Sequence, residues 1–212
     1  MPLKLIQDEK RAAAELAAGL VEDGMTVGLG TGSTVACLLP ALAERRLEQI
    51  RCIATSPETE ASARELGLPV EPFDDLERVD IAIDGADQVD RAGWLVKGGG
   101  GAHTREKIVA AAADRFVVIA SSDKEVKRIA PPVPLELVPY GVGATLRLLR
   151  HATLRDVPPS PDGGVIADYV GRVGDPAELA ARLAGTPGVV EHGLFPPKMV
   201  SEVIIGTRRR KL

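Results

Sequence analysis

Cysteine is scarce in this chain. Cys37 and Cys52 stand in unrelated contexts, so there is neither a disulfide framework nor a Cys-x-x-Cys pair, which fits a reducing compartment. Long apolar runs are missing too. None approaches membrane-spanning length, and the first ten residues lack the apolar centre of a secretory leader. Positive charge is not in excess. A net charge of −4 argues against a nucleic-acid surface, though it does not exclude a local basic pocket. The three histidines, His103, His151 and His192, show no ligand spacing, so no metal is expected. No nicotinamide, flavin or pyridoxal signature is present, so no cofactor is expected either. The terminal Arg208-Arg209-Arg210-Lys211 reads as a solvated tail. Together these absences describe a soluble, cytoplasmic protein.

What is present is an alternation of strands and helices. With 212 residues, 45% of them hydrophobic, the chain can form one large domain or a domain plus a small one. Residues 7–21 have helical character. Short buried strands follow at 25–29 and 51–54, each succeeded by a helix, 35–48 with Pro40 as a kink and 58–66 with Thr55-Ser56-Pro57 as its start. Strands are expected at 79–83, 94–96 and 116–120, with a helix at 104–113 and a weak edge strand at 70–72. This order implies a mainly parallel sheet sandwiched by helices, an α/β fold. In such sheets ligands sit beyond the carboxyl ends of the strands. Composition changes at Pro131-Pro132-Val133-Pro134. From there the order is strand, helix, strand, strand, helix, strand, the split ferredoxin-like pattern. The expected domains are therefore 1–130 plus 198–212, with the last apolar strand (200–205) rejoining the first sheet, and a small ferredoxin-like domain at 131–197.

Two loops carry the chemistry. Gly28-Leu29-Gly30-Thr31-Gly32-Ser33-Thr34 lies between a strand and a helix. Glycines let the backbone curl, the helix N-terminus offers N–H groups and a positive dipole end, and three hydroxyls add donors. This is an anion site, most naturally for a phosphate. It lacks the Gly-Lys-Ser/Thr ending of a nucleotide loop, so the phosphoryl group is held and not transferred. It also lacks the last glycine of the dinucleotide fingerprint. A methyltransferase loop is the nearer competitor, but Thr26 and Thr55 stand where that class carries acids.

The second loop is Lys97-Gly98-Gly99-Gly100-Gly101-Ala102-His103-Thr104-Arg105-Glu106-Lys107. Ordering four consecutive glycines costs entropy, and its use is to bring bare amides close to a ligand. A helix capped by Thr104 puts Glu106 in its first turn. Between the loops, Asp84-Gly85-Ala86-Asp87 places two carboxylates on a turn, suited to sugar hydroxyls or acid–base work; Asp90 reads as a turn residue. A lone loop histidine such as His103 is more often a hydrogen-bonding residue than a base. The assembled features grip a phosphate at one end and offer carboxylates, a lysine and amides at the other. Such a site suits proton transfer beside a carbonyl, where a carboxylate base in a dry pocket removes a C–H proton and a cation stabilises the oxyanion. A non-catalytic sugar-phosphate sensor is the alternative, but no helix-turn-helix accompanies it.

The segments at 28–34, 55–60 (Thr-Ser-Pro-Glu-Thr-Glu), 84–87 and 97–107, with Asp123-Lys124, resemble type A ribose-5-phosphate isomerase in order along nearly the whole chain. The resemblance implies cofactor-free interconversion of ribose 5-phosphate and ribulose 5-phosphate in the pentose phosphate pathway. It also implies a homodimer or homotetramer with a small-molecule sugar phosphate as ligand. By position it implies Glu106 as the proton acceptor, Asp84 in ring opening and Lys97 in oxyanion stabilisation. Substrate contacts are implied for Thr31, Gly32, Ser33 and Thr34, for Asp84, Gly85, Ala86 and Asp87, for Lys97, Gly98, Gly99 and Gly100, and for Lys124. Lys10 is a further phosphate candidate, and no family role passes to His103. One difficulty attaches to Glu106: a first-turn position lowers a carboxylate's pKa, which weakens a base unless burial or a neighbouring carboxylate offsets it.

Overall fold

The computed structural model describes residues 2–75 and 78–212. In chain order the elements are α1 (Leu3–Ala18), β1 (Thr26–Leu29), α2 (Val35–Glu44), β2 (Arg51–Ala54), α3 (Pro57–Glu65) and β3 (Val79–Asp84). Then come β4 (Gln88–Val89), β5 (Leu95–Val96), α4 (His103–Ala112), β6 (Ala113–Ala120), β7 (Val133–Leu137), α5 (Val142–Leu149) and β8 (Ala152–Leu154). The chain ends with β9 (Val165–Tyr169), α6 (Pro176–Ala184), β10 (Val189–His192), β11 (Leu194–Phe195), β12 (Glu202–Ile205) and β13 (Arg208–Lys211). It forms two compact units: Met1–Ala86, Arg105–Glu125 and Lys198–Leu212 make the first, and Asp87–Thr104 with Val126–Pro197 make the second. Residues 87–104, which the sequence grouped with the larger domain, thus lie in the second unit.

The first unit is built on a six-stranded sheet in the order β13-β12-β6-β3-β1-β2. All neighbours are parallel except β12 and β13. Its central strands are near-continuous apolar runs because helices cover the sheet, as in Val79–Asp84, which is buried at five of six positions. Leu29, Leu38, Leu42, Ile81, Ile83 and Ile119 form the core. Helix α3 begins as its sequence dictates: Pro57 occupies the first turn, and the Thr59 N–H donates to Ser56 Oγ at 3.1 Å. Helix α1 begins four residues earlier than its apolar pattern suggested, directly after Pro2. The basic terminus is not a loose tail. Arg208–Lys211 pairs antiparallel with β12, and Arg209 forms a two-point ion pair with the buried Glu202. Its exposed cationic side chains leave a charged edge, which disfavours further strand pairing.

The second unit holds an antiparallel sheet in the order β10-β7-β9-β8, with α5 and α6 as its crossovers, which is the ferredoxin-like arrangement. Leu135, Leu137, Leu149, Leu179 and Leu183 form its core. A further three-stranded sheet, β11-β5-β4, is also antiparallel. The sequence had counted residues 94–96 among the strands of the parallel sheet. The link from β4 is too short for a parallel crossover, so the chain turns back at Asp90, whose Oδ1 accepts the Trp94 N–H at 2.9 Å. The last strand of the pattern, which the sequence places at 189–194, is two short ones, Val189–His192 and Leu194–Phe195. Gly193 separates them, at a point where a Cβ would lie 2.1 Å from the Lys97 carbonyl oxygen. No described helix is long and apolar enough to cross a membrane.

Candidate functional site

In the first unit the site forms where β1 and β3 end. Asp84, the last residue of β3, is buried, and its Oδ1 accepts two backbone N–H groups, from Thr31 at 3.0 Å and Gly85 at 2.7 Å. One carboxylate oxygen thereby ties the turn after β1 to the turn after β3. Glycine at position 30 makes this possible, since a Cβ there would sit 1.9 Å from Asp84 Cγ. The Gly30 carbonyl accepts Thr59 Oγ1 at 2.8 Å, and Thr31 Oγ1 lies 2.8 Å from Thr55 Oγ1. The Thr55-Ser56-Pro57 start of α3 therefore braces the loop from behind.

Beyond Gly32 the chain enters α2, with the Ala36 N–H on the Gly32 carbonyl at 2.9 Å. Thr34 is the N-cap residue, yet its hydroxyl makes no capping bond. Lys10 Nζ donates to Ser33 Oγ at 2.9 Å, so α1 brings a cation to this helix N-terminus. A loop with hydroxyls, an N-terminal dipole end and an ammonium group is an anion-binding arrangement. Glu9, the preceding residue on α1, accepts both the backbone N–H and the hydroxyl of Ser122, at 2.7 Å each. Helix α1 thus steadies two turns at the same edge of the sheet. Lys124, in the second of these turns, lies 3.9 Å from Asp123 and keeps a part-exposed side chain. Nothing in the sequence around Glu9 had marked it.

Glu106 is 5% exposed and lies in the first turn of α4. Its height above the sheet follows from packing. Val109 presses on β1 at Gly28, where a Cβ would lie 2.4 Å from Val109 Cγ1. Helix α4 passes straight into β6, whose first residue pairs with the start of β3, so the helix descends from the carboxyl edge of the sheet to its amino edge. Glu106 is three residues before Val109, on the same helix face and about 4.5 Å nearer the carboxyl edge. Gly30 is two residues beyond Gly28, about 6.6 Å in the same direction. The carboxylate of Glu106, that of Asp84 and the 31–34 loop therefore share one edge of one unit. Burial also strips water from Glu106, which opposes the pull of the helix N-terminus on its charge.

The remaining groups belong to the second unit. Lys97 is 3% exposed, its N–H donates to the Gly193 carbonyl at 2.9 Å, and its Nζ stands 5.6 Å from the centre of the Phe195 ring, a cation–π arrangement. Asp87 closes a tie of its own: its N–H meets the Val96 carbonyl at 2.8 Å, and its Oδ2 accepts the Gly99 N–H at 2.8 Å. Gly98 has φ +104°, and a Cβ there would lie 2.7 Å from His103 Nδ1. His103 is fully buried against that glycine, in a packing position. Thr104 does not cap α4 as its residue type suggested. The helix starts one residue earlier, and the Thr104 hydroxyl donates to Glu136 Oε2 at 2.5 Å. Glu136 is buried and also accepts Ser160 Oγ. A glutamate in a β-strand gives no sequence signal of such a role. No cluster of three or more His, Cys, Asp or Glu side chains able to hold a metal occurs among the described residues.

A parallel α/β sheet with an anion loop and two buried carboxylates at one edge is the arrangement of a sugar-phosphate isomerase class of protein. Comparison with known proteins gives the particular family. The model of the family "ribose 5-phosphate isomerase A (phosphoriboisomerase A)" matches residues 51–210. The ribose-5-phosphate isomerase A of Caulobacter vibrioides (strain NA1000 / CB15N) is 45% identical over 215 residues, covering 94% of each chain. That of Natronomonas pharaonis is 44% identical over 212 residues, covering 94% of this chain and 93% of its own. The solved ribose 5-phosphate isomerase A of Methanocaldococcus jannaschii superposes with a TM-score of 0.90 at 36% identity, covering 97% and 99% of the two chains. A D-ribose-5-phosphate isomerase in complex with phospho-erythronic acid gives 0.91 at 34% identity, covering 98% of each. The Pyrococcus horikoshii translation initiation factor eIF-2B, at 17% identity and a TM-score of 0.57 over 94% of this chain and 63% of its own, shares the fold alone. The chain belongs to the ribose 5-phosphate isomerase A family. It is an aldose–ketose isomerase that interconverts D-ribose 5-phosphate and D-ribulose 5-phosphate in the pentose phosphate pathway. The methyltransferase and sensor readings are set aside by that membership.

Proposed function

We propose that Glu106 is the base of this isomerisation, with Asp84 and Lys97 as its catalytic partners. Asp84 takes the proton of the anomeric hydroxyl as the furanose ring opens and hands it on to the ring oxygen, so the carboxylate is regenerated. In the open aldose the Glu106 carboxylate removes the proton at C2. The C–H electron pair forms the C1–C2 double bond, and the carbonyl electrons pass to O1, giving an enediolate. The Lys97 ammonium and the amides of Gly98 and Gly100 stabilise that oxyanion, while the Gly99 amide stays on Asp87. The O2 hydroxyl proton then passes to O1, Glu106 returns a proton to C1, and O2 becomes the ketose carbonyl. Atoms and electrons balance within one substrate, so this chemistry calls for no redox partner. Burial of Glu106 and Lys97 supports the reading, because charge stabilisation in a dry site exceeds that in water.

The phosphate is assigned to the Thr31, Gly32, Ser33 and Thr34 loop, with Lys10 and Lys124 as cations. Gly85, Ala86 and Asp87 are assigned to the sugar hydroxyls. The observation that carries the proposal is the position of Glu106 one helical turn above the Val109–Gly28 contact, at the edge where Asp84 and the anion loop lie. Turnover at saturating ribose 5-phosphate is the test. Glu106→Gln is expected to lower kcat by about a hundred- to ten-thousand-fold with KM little changed. A Gln variant with near-normal kcat excludes Glu106 as the base.

The same reading makes the protein a cytoplasmic homodimer or homotetramer. Large apolar side chains on the surface of the second unit support self-association: Tyr140 is 92% exposed, and Leu148, Leu154 and Val170 are at least half exposed. Light scattering that returns a monomer mass at working concentration sinks this part.

A further inference from the structure

The geometry points to Arg155 as a positioning residue for the glycine loop. Its guanidinium, set by Asp168, holds the Gly99 amide on Asp87 and turns the Gly100 amide toward the developing oxyanion. Arg155 follows β8, and its backbone N–H pairs with the Ile166 carbonyl of β9 at 2.9 Å. Its Nη1 donates to two consecutive loop carbonyls, Gly98 at 3.1 Å and Gly99 at 3.0 Å. The rest of the guanidinium is committed to Asp168: Nε to Oδ2 at 3.0 Å and Nη2 to Oδ1 at 2.5 Å. Both side chains are only 20% exposed. One planar group therefore makes four bonds, two to a carboxylate that fixes its plane and two to the loop. Lysine has neither the fork nor the reach to do both.

These contacts decide which way the loop's N–H groups face. In a trans peptide the N–H points opposite to the C=O of the same plane. With the Gly98 carbonyl on Arg155, the Gly99 N–H is turned away from it, and there donates to Asp87 Oδ2 at 2.8 Å. With the Gly99 carbonyl on the same guanidinium, the Gly100 N–H is turned away in its turn. Without side chains, glycine peptides have the greatest freedom to flip, so a run of four needs an outside agent to hold one orientation. Arg155 supplies it from the far side of the loop, where it does not compete with substrate. A cation on a carbonyl oxygen also polarises that peptide, making its N–H a stronger donor. The inference rests on the assignment of Lys97, Gly98 and Gly100 to the oxyanion. It explains why a loop this flexible serves as a preorganised donor.

The test compares wild type with Arg155→Ala, Arg155→Lys and Asp168→Asn in ribose 5-phosphate turnover, with thermal midpoints measured alongside. Misorienting donors by about 1 Å costs on the order of a hundredfold, so Arg155→Ala is expected to lose about ten- to a hundredfold in kcat. KM should change by less than about threefold, since the loss falls on the transition state. Arg155→Lys should lie between, and added guanidinium ion, well below denaturing concentrations, should restore part of kcat to Arg155→Ala and none to wild type. A folded Arg155→Ala with kcat within about twofold of wild type overturns the inference. So does a kcat loss that only tracks the unfolded fraction and resists guanidinium rescue. If Arg155→Ala does not fold, Asp168→Asn decides: a kcat loss of about three- to tenfold supports the role, and an unchanged kcat overturns it. Lys97→Ala separates the two levels. If it keeps full turnover, the oxyanion assignment is wrong, whatever Arg155 does.

Discussion

The 30–34 loop of the first unit and the glycine loop of the second are held in different ways. The 30–34 loop is short and is fixed from within its own sheet and the helices on it: by a carboxylate at the end of the adjacent strand, the start of the next helix, and the first turn of its own. The glycine loop at 97–101 follows a strand of the three-stranded sheet and is fixed by side chains from the four-stranded one, with Arg155 on its carbonyls and Glu136 on the Thr104 hydroxyl that follows it. In the proposed reading the first loop binds a group that does not change during the reaction, the phosphate, and the second faces the atoms that do change. On that reading a ground-state grip is built within one sheet from hydroxyls and a helix end, whereas transition-state donors are oriented by a separate sheet.

The contrast can be broken most forcefully at Gly30. A Gly30→Ala methyl must displace the Asp84 carboxylate, so we expect a loss of about 1–3 kcal/mol in stability together with most of kcat. Wild-type melting and turnover would show that Asp84 moves aside without consequence. Glu136→Ala comes next. It strips the Thr104 and Ser160 hydroxyls of a buried acceptor and should cost about 1–3 kcal/mol in denaturant unfolding. Its kinetic loss should appear in kcat, because the proposed reading assigns the phosphate to the other loop. Ser33→Ala sharpens the comparison from the other side. Loss of one donor to the phosphate should raise KM by about three- to tenfold and leave kcat within about twofold. If Ser33→Ala lowers kcat instead, the division of labour between the loops fails.

The smallest effect lies outside both. The Arg209 guanidinium beside Glu202, with Arg115 further off, holds that carboxyl below its ordinary value of 4.5. Because the folded value is the lower one, this pair's contribution is complete above pH 4.5 and fades as pH falls below it toward the folded value. Glu202→Gln should therefore flatten the acid limb of stability by no more than about 1 kcal/mol, without touching turnover at neutral pH.

Legibility in the sequence follows the same division. The parallel sheet, the ferredoxin-like unit and the 28–34 loop were readable because each depends on local pattern: apolar runs, hydroxyl caps, glycine between strand and helix. Ser56-Pro57 at the start of α3 behaved as its residue types required. The antiparallel pairing of Leu95–Val96 was not readable, since an apolar dipeptide strand fits either sheet and only its tertiary neighbours choose. Thr104 misled because a hydroxyl near a helix start is normally a cap, and a buried glutamate from β7 won the competition for it. Glu9, Glu136 and Arg155 act through distant partners, so no spacing announced them. The charged terminus was read from composition alone, although pairing with β12 turns the same residues into an edge strand.

The central claim is that Glu106 carries the proton between C2 and C1. The most direct measurement is exchange of the C2 hydrogen of ribose 5-phosphate with solvent deuterium, followed by proton NMR in wild type, Ser33→Ala and Glu106→Gln at saturating substrate. The account predicts rapid exchange in the first two and a rate lower by about a hundredfold or more in Glu106→Gln, with sugar phosphate still bound. Exchange in Glu106→Gln at close to the wild-type rate would contradict it and assign the proton to another group.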